Sequence, residues 1–244
     1  MPTRSAARSP VAARRACADH VAALFAEVFG RLDAWRAELV QTLGGSTTPG
    51  ALDELVAARV LPELGADSLL IGAGFIAAPD YVHGKGVHFA WWLGPLDAGP
   101  IFGSTDAPTR LDLSTRGYAD YLRDVRSLEW YATPASTMAT HVTGPYVDHL
   151  CTCDYILTLT VPAFSEGRMI GVTGADIAVR RLEYDVLPIL FAVEEPLALV
   201  NADGRVIVST KASVGPGSLV SGTLASNAAH AAEVTGTPLR IVSL

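Results

Sequence analysis

Membrane-length apolar runs are missing from this chain: no stretch approaches the roughly 20 apolar residues a spanning helix requires. Cysteine is scarce. Its three copies, Cys17, Cys151 and Cys153, are an odd number and form no disulfide framework, which fits a reducing compartment. Charge is sparse too, at 18% of residues, with 18 Lys and Arg against 25 Asp and Glu for a net −7. Without a sustained basic stripe, direct nucleic-acid binding is not expected. Arg4, Arg8, Arg14 and Arg15 gather near the start and read as a short solvated arm. That region is basic, but Ala6 to Ala18 is broken by Arg, Ser and Pro and forms no apolar secretion-signal core. A cytoplasmic location, off the membrane, is the expectation.

Catalytic signatures are equally thin. Gly-x-Ser-x-Gly and a phosphate-cradling loop ending in Gly-Lys-Ser are absent, and Gly72-Ala73-Gly74 lacks the third glycine and the helix of a dinucleotide fingerprint. His149, Cys151, Cys153 and Asp154 lie close together, but structural zinc sites use two-residue gaps between cysteines, and no second pair follows. Cys151 with His141 could form a nucleophile pair, though no motif supports it. No cofactor or metal is expected.

What is present is a globular chain of 244 residues, half of them hydrophobic. From His20 to Leu43, Val21, Leu24, Phe25, Val28, Leu32, Trp35, Leu39 and Leu43 recur at helical steps, predicting one long amphipathic helix. Its stripe could serve dimerisation or pack on the chain's own sheet. Thr48-Pro49 opens a second helix running to about Leu64. Strands are expected at 69–77 and 87–93, a loop at 94–110 and a helix at 118–131. Three consecutive strands follow from His141 to Val179, then a helix at 180–193. A hairpin pairs 197–200 with 206–209 across Asp203-Gly204. A weak helix and a final strand complete the remainder. The class is α+β, with a PAS-like antiparallel five-stranded sheet and a ligand cavity between sheet and intervening helix.

The segment from His141 to Val179 is the most telling. Asp148 follows Gly144-Pro145-Tyr146-Val147, and Asp176 interrupts a run of apolar and small residues. A carboxylate buried in a sheet is costly unless paired. A Glu166-Gly167 turn pairs Ser165 with Arg168 and so sets Asp176 opposite Leu157. A loop at His149–Asp154 sets Tyr146 opposite Leu157 as well. Tyr146 and Asp176 then share a face, roughly 10 Å apart at the backbone. A one-residue slip in either hairpin would separate them. Asp176 could instead cap a turn or pair with Arg180 or Arg181, and Asp148 could cap its own turn. Trp130 and Tyr131 fit either core or pocket wall, and Tyr118, Tyr121, Arg123, Arg126 and Glu129 lie near them in sequence.

Trp130-Tyr131, Gly144-Pro-Tyr-Val-Asp148, Leu157-Thr-Leu-Thr-Val-Pro162 and Ile170-Gly-Val-Thr-Gly-Ala-Asp-Ile177 together resemble the Cache family of bacterial sensor domains. The resemblance covers roughly residues 20 to 195. The expected organisation is a disordered tail at 1–10 and N-terminal helices at 11–65, to which the resemblance adds a Cache-like ligand-binding domain at 66–195 and a partial second PAS-like lobe at 196–244. In amino-acid-binding members a Trp-Tyr pair with a nearby Arg and Tyr holds the carboxylate, while Tyr-x-Asp and a later Asp hold the amino group. The resemblance therefore assigns ligand binding to Tyr121, Arg126, Trp130, Tyr131, Tyr146, Asp148 and Asp176. Arg126 stands four residues before Trp130, where the family has one intervening residue, so the ammonium end is the better prediction. The implied function is a non-enzymatic sensor for an amine or amino-acid-like metabolite. It would act as a homodimer through a separately encoded transcriptional regulator or enzyme. A small-molecule enzyme using Asp176, or Cys151 with His141, and a structural dimerisation partner with a vestigial pocket are the alternatives.

Overall fold

The computed structural model describes residues 9–44, 47–82, 86–99, 103–111, 125–149, 152–221 and 229–244. Packing divides the chain into two compact units, Glu27–Ala178 and Met1–Ala26 with Val179–Leu244. This division runs through the first helix and at Ala178/Val179, whereas the boundaries expected from sequence followed the order of elements along the chain.

Helix α1 spans Pro10–Thr42, starting ten residues before the periodic stripe because the Ala- and Arg-rich segment ahead of it is also a good helix former. Val21, Phe25, Val28, Leu32, Trp35, Leu39 and Leu43 are all buried in the fold, so the stripe is spent on the chain itself. Arg14 continues the same stripe and is not part of a solvated arm. It is buried at 3% exposure, paired with Glu195, donating to Ser243 Oγ at 2.9 Å and bonded to the Ala229 carbonyl. Arg15 stays on the surface with Asp19, while Arg4, Arg8 and most of the expected tail lie outside the described residues. Helix α2 is Pro49–Val60, and the Thr48 hydroxyl accepts from the Ala51 N–H as its cap.

In the Glu27–Ala178 unit, strands β1 (Leu70–Ala77), β2 (Phe89–Leu93), β6 (His141–Val147), β7 (Tyr155–Ser165) and β8 (Arg168–Ala178) form the sheet, joined at one edge by the two-residue β5 (Thr109–Arg110). Its order is β5-β2-β1-β8-β7-β6 with every pair antiparallel. Without β5, the five long strands lie in the PAS-like order. The 94–110 segment, expected as loop, also holds a small ribbon of β3 (Leu96–Gly99) and β4 (Gly103–Thr105). Helix α3 covers Glu129–Thr137 after a 3-10 turn at Val125–Ser127. It begins where the expected helix was to end, and residues 112–124 lie outside the described set. Glu129 in its first turn suits the helix dipole, and Pro134 is accommodated within it.

In the other unit, α4 (Val179–Phe191) packs on a second antiparallel sheet of order β10-β9-β12-β11. Its strands are β9 (Leu197–Val200), β10 (Val206–Ser209), β11 (Ala231–Glu233) and β12 (Arg240–Ser243). Strand β9 is buried along its whole length, and Ala198, Val200, Val206 and Val242 share one apolar cluster. Where a weak helix was expected, the described residues hold β11 and turns; 222–228 lie outside them.

Candidate functional site

Two irregularities decide which residues face α3. Ser165 pairs with Arg168 as the turn predicts, but a bulge near Gly171 shifts the rest of the β7–β8 ladder by one residue. Asp176 consequently lies opposite Thr158 instead of Leu157. The β6–β7 hairpin closes with Val147, not Asp148, opposite Tyr155, and this leaves Tyr146 opposite Ile156, again one residue from the expected partner. Directly opposed residues share a face, and Ile156 and Thr158 are two apart, so the two slips cancel. Tyr146, Thr158 and Asp176 point the same way.

The side chains complete that geometry. The Thr158 hydroxyl donates to Asp176 Oδ1 at 2.6 Å and lies 2.6 Å from the Tyr146 hydroxyl. Thr158 has one proton, so Tyr146 donates to Thr158 and Thr158 to Asp176. Asp176 Oδ2 has no hydrogen-bond partner among the described residues. Its residue is only partly accessible, and dehydration is the largest influence on its carboxyl. The Thr158 hydrogen bond pulls the other way and the charge of Asp148 adds to the rise, leaving the pKa at about 7. An acid held at that value, with one oxygen unclaimed, suits a visiting cation.

The same face carries an apolar floor and wall. Gly72 lies opposite Asp176 on β1, and Gly74 opposite Gly174 and Trp91. A Cβ at Gly72 would stand 2.9 Å from Trp91 Nε1, and one at Gly174 would stand 3.4 Å from its Cη2. The glycines thus let the Trp91 indole lie flat across three strands. Trp91 joins Tyr131, Leu93, Val172 and Ile76 in one cluster, with Trp130 and Phe89 packed against it. Trp130 meets Tyr131 and Phe89 edge to face at 6.3 and 6.4 Å. Thr158, Trp91 and Gly72 were not singled out from sequence. The alternation Leu157-Thr158-Leu159-Thr160 was the available signal for a polar face on a buried strand.

Other expected residues fall as follows. Asp148 Oδ2 accepts from the Thr152 N–H at 3.1 Å and from its hydroxyl at 3.3 Å, so it caps its own loop while remaining close enough to act on Asp176. Arg126 is exposed in the 3-10 turn, and its charge lowers the Tyr131 hydroxyl against the larger upward push of burial. Tyr121 and Cys151 lie outside the described residues. His141 is engaged by Glu129, 2.8 Å from its Nε2. Cys153 and His149 are exposed, and no metal-holding cluster occurs among the described residues. No helix among them is long and apolar enough to cross a membrane.

The fold of this segment has counterparts among known proteins. Residues 70–184 match the model of the first PDC sensor domain of methyl-accepting chemotaxis protein-like receptors. This segment is a Cache-like sensor domain. Solved structures extend the likeness of fold beyond the Cache segment. The ligand-binding domain of the Pseudomonas fluorescens chemoreceptor CtaA, in complex with L-valine, aligns at TM-score 0.63 and 16% identity over 96% of this chain and 93% of its own. Methyl-accepting chemotaxis protein X aligns at 0.58 and 15% over 95% and 97%. The Pseudomonas aeruginosa amino acid chemoreceptor PctC, with GABA bound, gives 0.56 and 15% over 93% and 94%. At such identities the likeness is one of fold, and the Cache ligand has to be argued from this chain's own residues.

The Asp176 carboxyl gives a stability prediction for the Cache domain. Folding raises its pKa from about 3.9 to about 7, so between those values the folded state keeps a proton the unfolded state has lost. Stability from this group is full below pH 4, falls as pH rises through the window and is lowest above 7. Asp176→Asn removes that slope and should be more stable than the parent at pH 8 by roughly 1–3 kcal/mol. Melting curves of both proteins from pH 4 to 8 check it; parallel curves would contradict it.

Proposed function

We propose that this Cache-like domain senses a small metabolite bearing an ammonium group, an amine or an amino acid, and passes its occupancy to a signalling partner. The observation that carries the reading is the Tyr146–Thr158–Asp176 chain, which ends in an unclaimed carboxylate oxygen on the α3 face. The acid supplies charge pairing, Asp148 adds negative potential, and Trp130 and Tyr131 supply aromatic faces suited to a cation. In this reading Arg126 would meet a ligand carboxylate. That the CtaA and PctC structures hold L-valine and GABA supports this class of ligand. The sensor family favours binding over turnover.

A thermal-shift panel of amines, amino acids and carboxylic acids lacking an amine tests the reading. A ligand at a hundred times its dissociation constant adds about 2.7 kcal/mol, or roughly 5–10 °C for a chain of this size. Shifts are expected from ammonium-bearing compounds and not from the plain acids. Shifts from the acids alone, or none anywhere, would sink it.

A further inference from the structure

Two threonines beside Asp176 carry hydroxyls that the fold leaves unused. Thr143 and Thr160 keep 6% and 1% of their area exposed, and the Oγ1 of each is shut from solvent with no hydrogen-bond partner. Thr143 lies opposite Thr158, while Thr160, two residues along β7, faces His141 on β6 and Gly174 on β8. Opposed and alternate residues share a face, so both threonines stand with Thr158 and Asp176 on the side of α3. The His141 contact with Glu129 of α3 gives the same orientation. A third unused donor adjoins them. Trp91 Nε1 lies over Gly72, the residue opposite Asp176, and makes no hydrogen bond among the described residues. Trp91 Cη2 and Thr160 Cγ2 meet above Gly174, 3.4 and 3.3 Å from where its Cβ would stand.

A buried hydroxyl or indole N–H gives up its water for nothing unless some group accepts from it. A single instance is a packing imperfection; Thr173 Oγ1, on the opposite face of β8, is one. Three on one patch, next to an acid with a free oxygen, make the polar end of a binding site. Their chemistry limits what they can hold. All three donors are uncharged, Asp176 and Asp148 set the local field, and His141 is taken up by Glu129. Arg126 lies off these strands, in the 3-10 turn before α3. A carboxylate on the patch would meet negative charge without a cation to pair it. The oxygen of a hydroxyl or a carboxamide accepts the same hydrogen bonds without that cost.

We propose that Thr143, Thr160 and Trp91 form a subsite for an uncharged oxygen, so that the ligand is an ammonium compound bearing a hydroxyl or a carboxamide. The assignment rests on the ammonium reading of Asp176 above and narrows it.

Isothermal titration of three isosteric pairs tests it: 2-aminoethanol against propylamine, L-threonine against L-valine, and L-asparagine against L-leucine. The oxygen-bearing member of at least one pair is expected to bind about tenfold tighter or more than its counterpart. Thr143→Val with Thr160→Val should bring that ratio close to one, whereas Thr160→Ser, which keeps the hydroxyl, should preserve it. Should the double variant fold poorly, Thr160→Val alone decides the ratio. Thr173→Val, on the other face, should leave it unchanged. Because valine removes an unused hydroxyl at constant shape, Thr160→Val and Thr173→Val should each raise the melting temperature of the free protein by about 2–4 °C. A fall at Thr160 would mean that the fold itself uses its hydroxyl, and would overturn the proposal. No preference for oxygen in any pair, or a preference that survives the threonine substitutions, overturns it too and leaves the ammonium reading standing. Silence of all six probes also overturns it, and if the wider amine panel is silent as well, that reading falls with it.

Discussion

Gly171→Ala is expected to lower the melting temperature by about 10 °C, corresponding to roughly 3–5 kcal/mol in a chain of this length. Two costs combine. The backbone at Gly171 has φ +157°, and an added Cβ would stand 2.4 Å from Phe75 Cζ and 2.5 Å from the Ile76 carbonyl oxygen. Neither neighbour can yield: Phe75 is fully buried, and Ile76 O belongs to the backbone of the central strand β1. Overpacking of this kind costs about 1–3 kcal/mol, and the disfavoured backbone adds to it. Gly167→Ala is the control. It too has positive φ, at +75°, but nothing lies within 4 Å of its Cβ, so about 1 kcal/mol is expected. Equal losses at the two glycines in chemical denaturation would contradict the account of the bulge.

Asp176→Ala is expected to weaken binding of an ammonium ligand by at least about a hundredfold, because it removes the charge partner and leaves the Thr158 hydroxyl without its acceptor. Asp176→Asn, which keeps the shape and a hydrogen bond, should lose nearly as much, since the charge is what the ligand reads. Isothermal titration of the best amine or amino acid from the panel provides the comparison. Retained affinity in the Asn variant would mean that hydrogen bonding, not charge, holds the ligand.

The contrast between those residues also shows what was legible in the chain. Hydrophobic periodicity located α1, the three long strands and α4, because burial of a continuous stripe sets those elements. Counting from the turns places Asp176 and Tyr146 on one face for an incomplete reason. It assumes a regular β7–β8 ladder and a loop closed at Asp148, whereas β8 bulges near Gly171 and the loop closes at Val147 opposite Tyr155. Glycine inside a strand is the local sign of such a bulge. The two slips together keep the parity that either alone would have destroyed. Arg14 departs from expectation for a different reason. Its charge suggested solvent, and only the partners Glu195, Ser243 and Ala229, distant in sequence, make its burial tolerable. Trp91 and its glycine floor depend on three strands meeting, which no single segment of sequence displays.

The central claim is that Asp176 takes up the cation, and proton release on binding tests it most directly. Below its pKa of about 7 the carboxyl is protonated, so a bound ammonium must expel that proton. Calorimetric titrations at pH 6, in two buffers of different ionisation enthalpy, should report close to one proton released per ligand, falling toward zero by pH 8. In Asp176→Asn any residual binding should release none. A heat of binding independent of buffer at pH 6, or the same proton release from the Asn variant, would contradict the account.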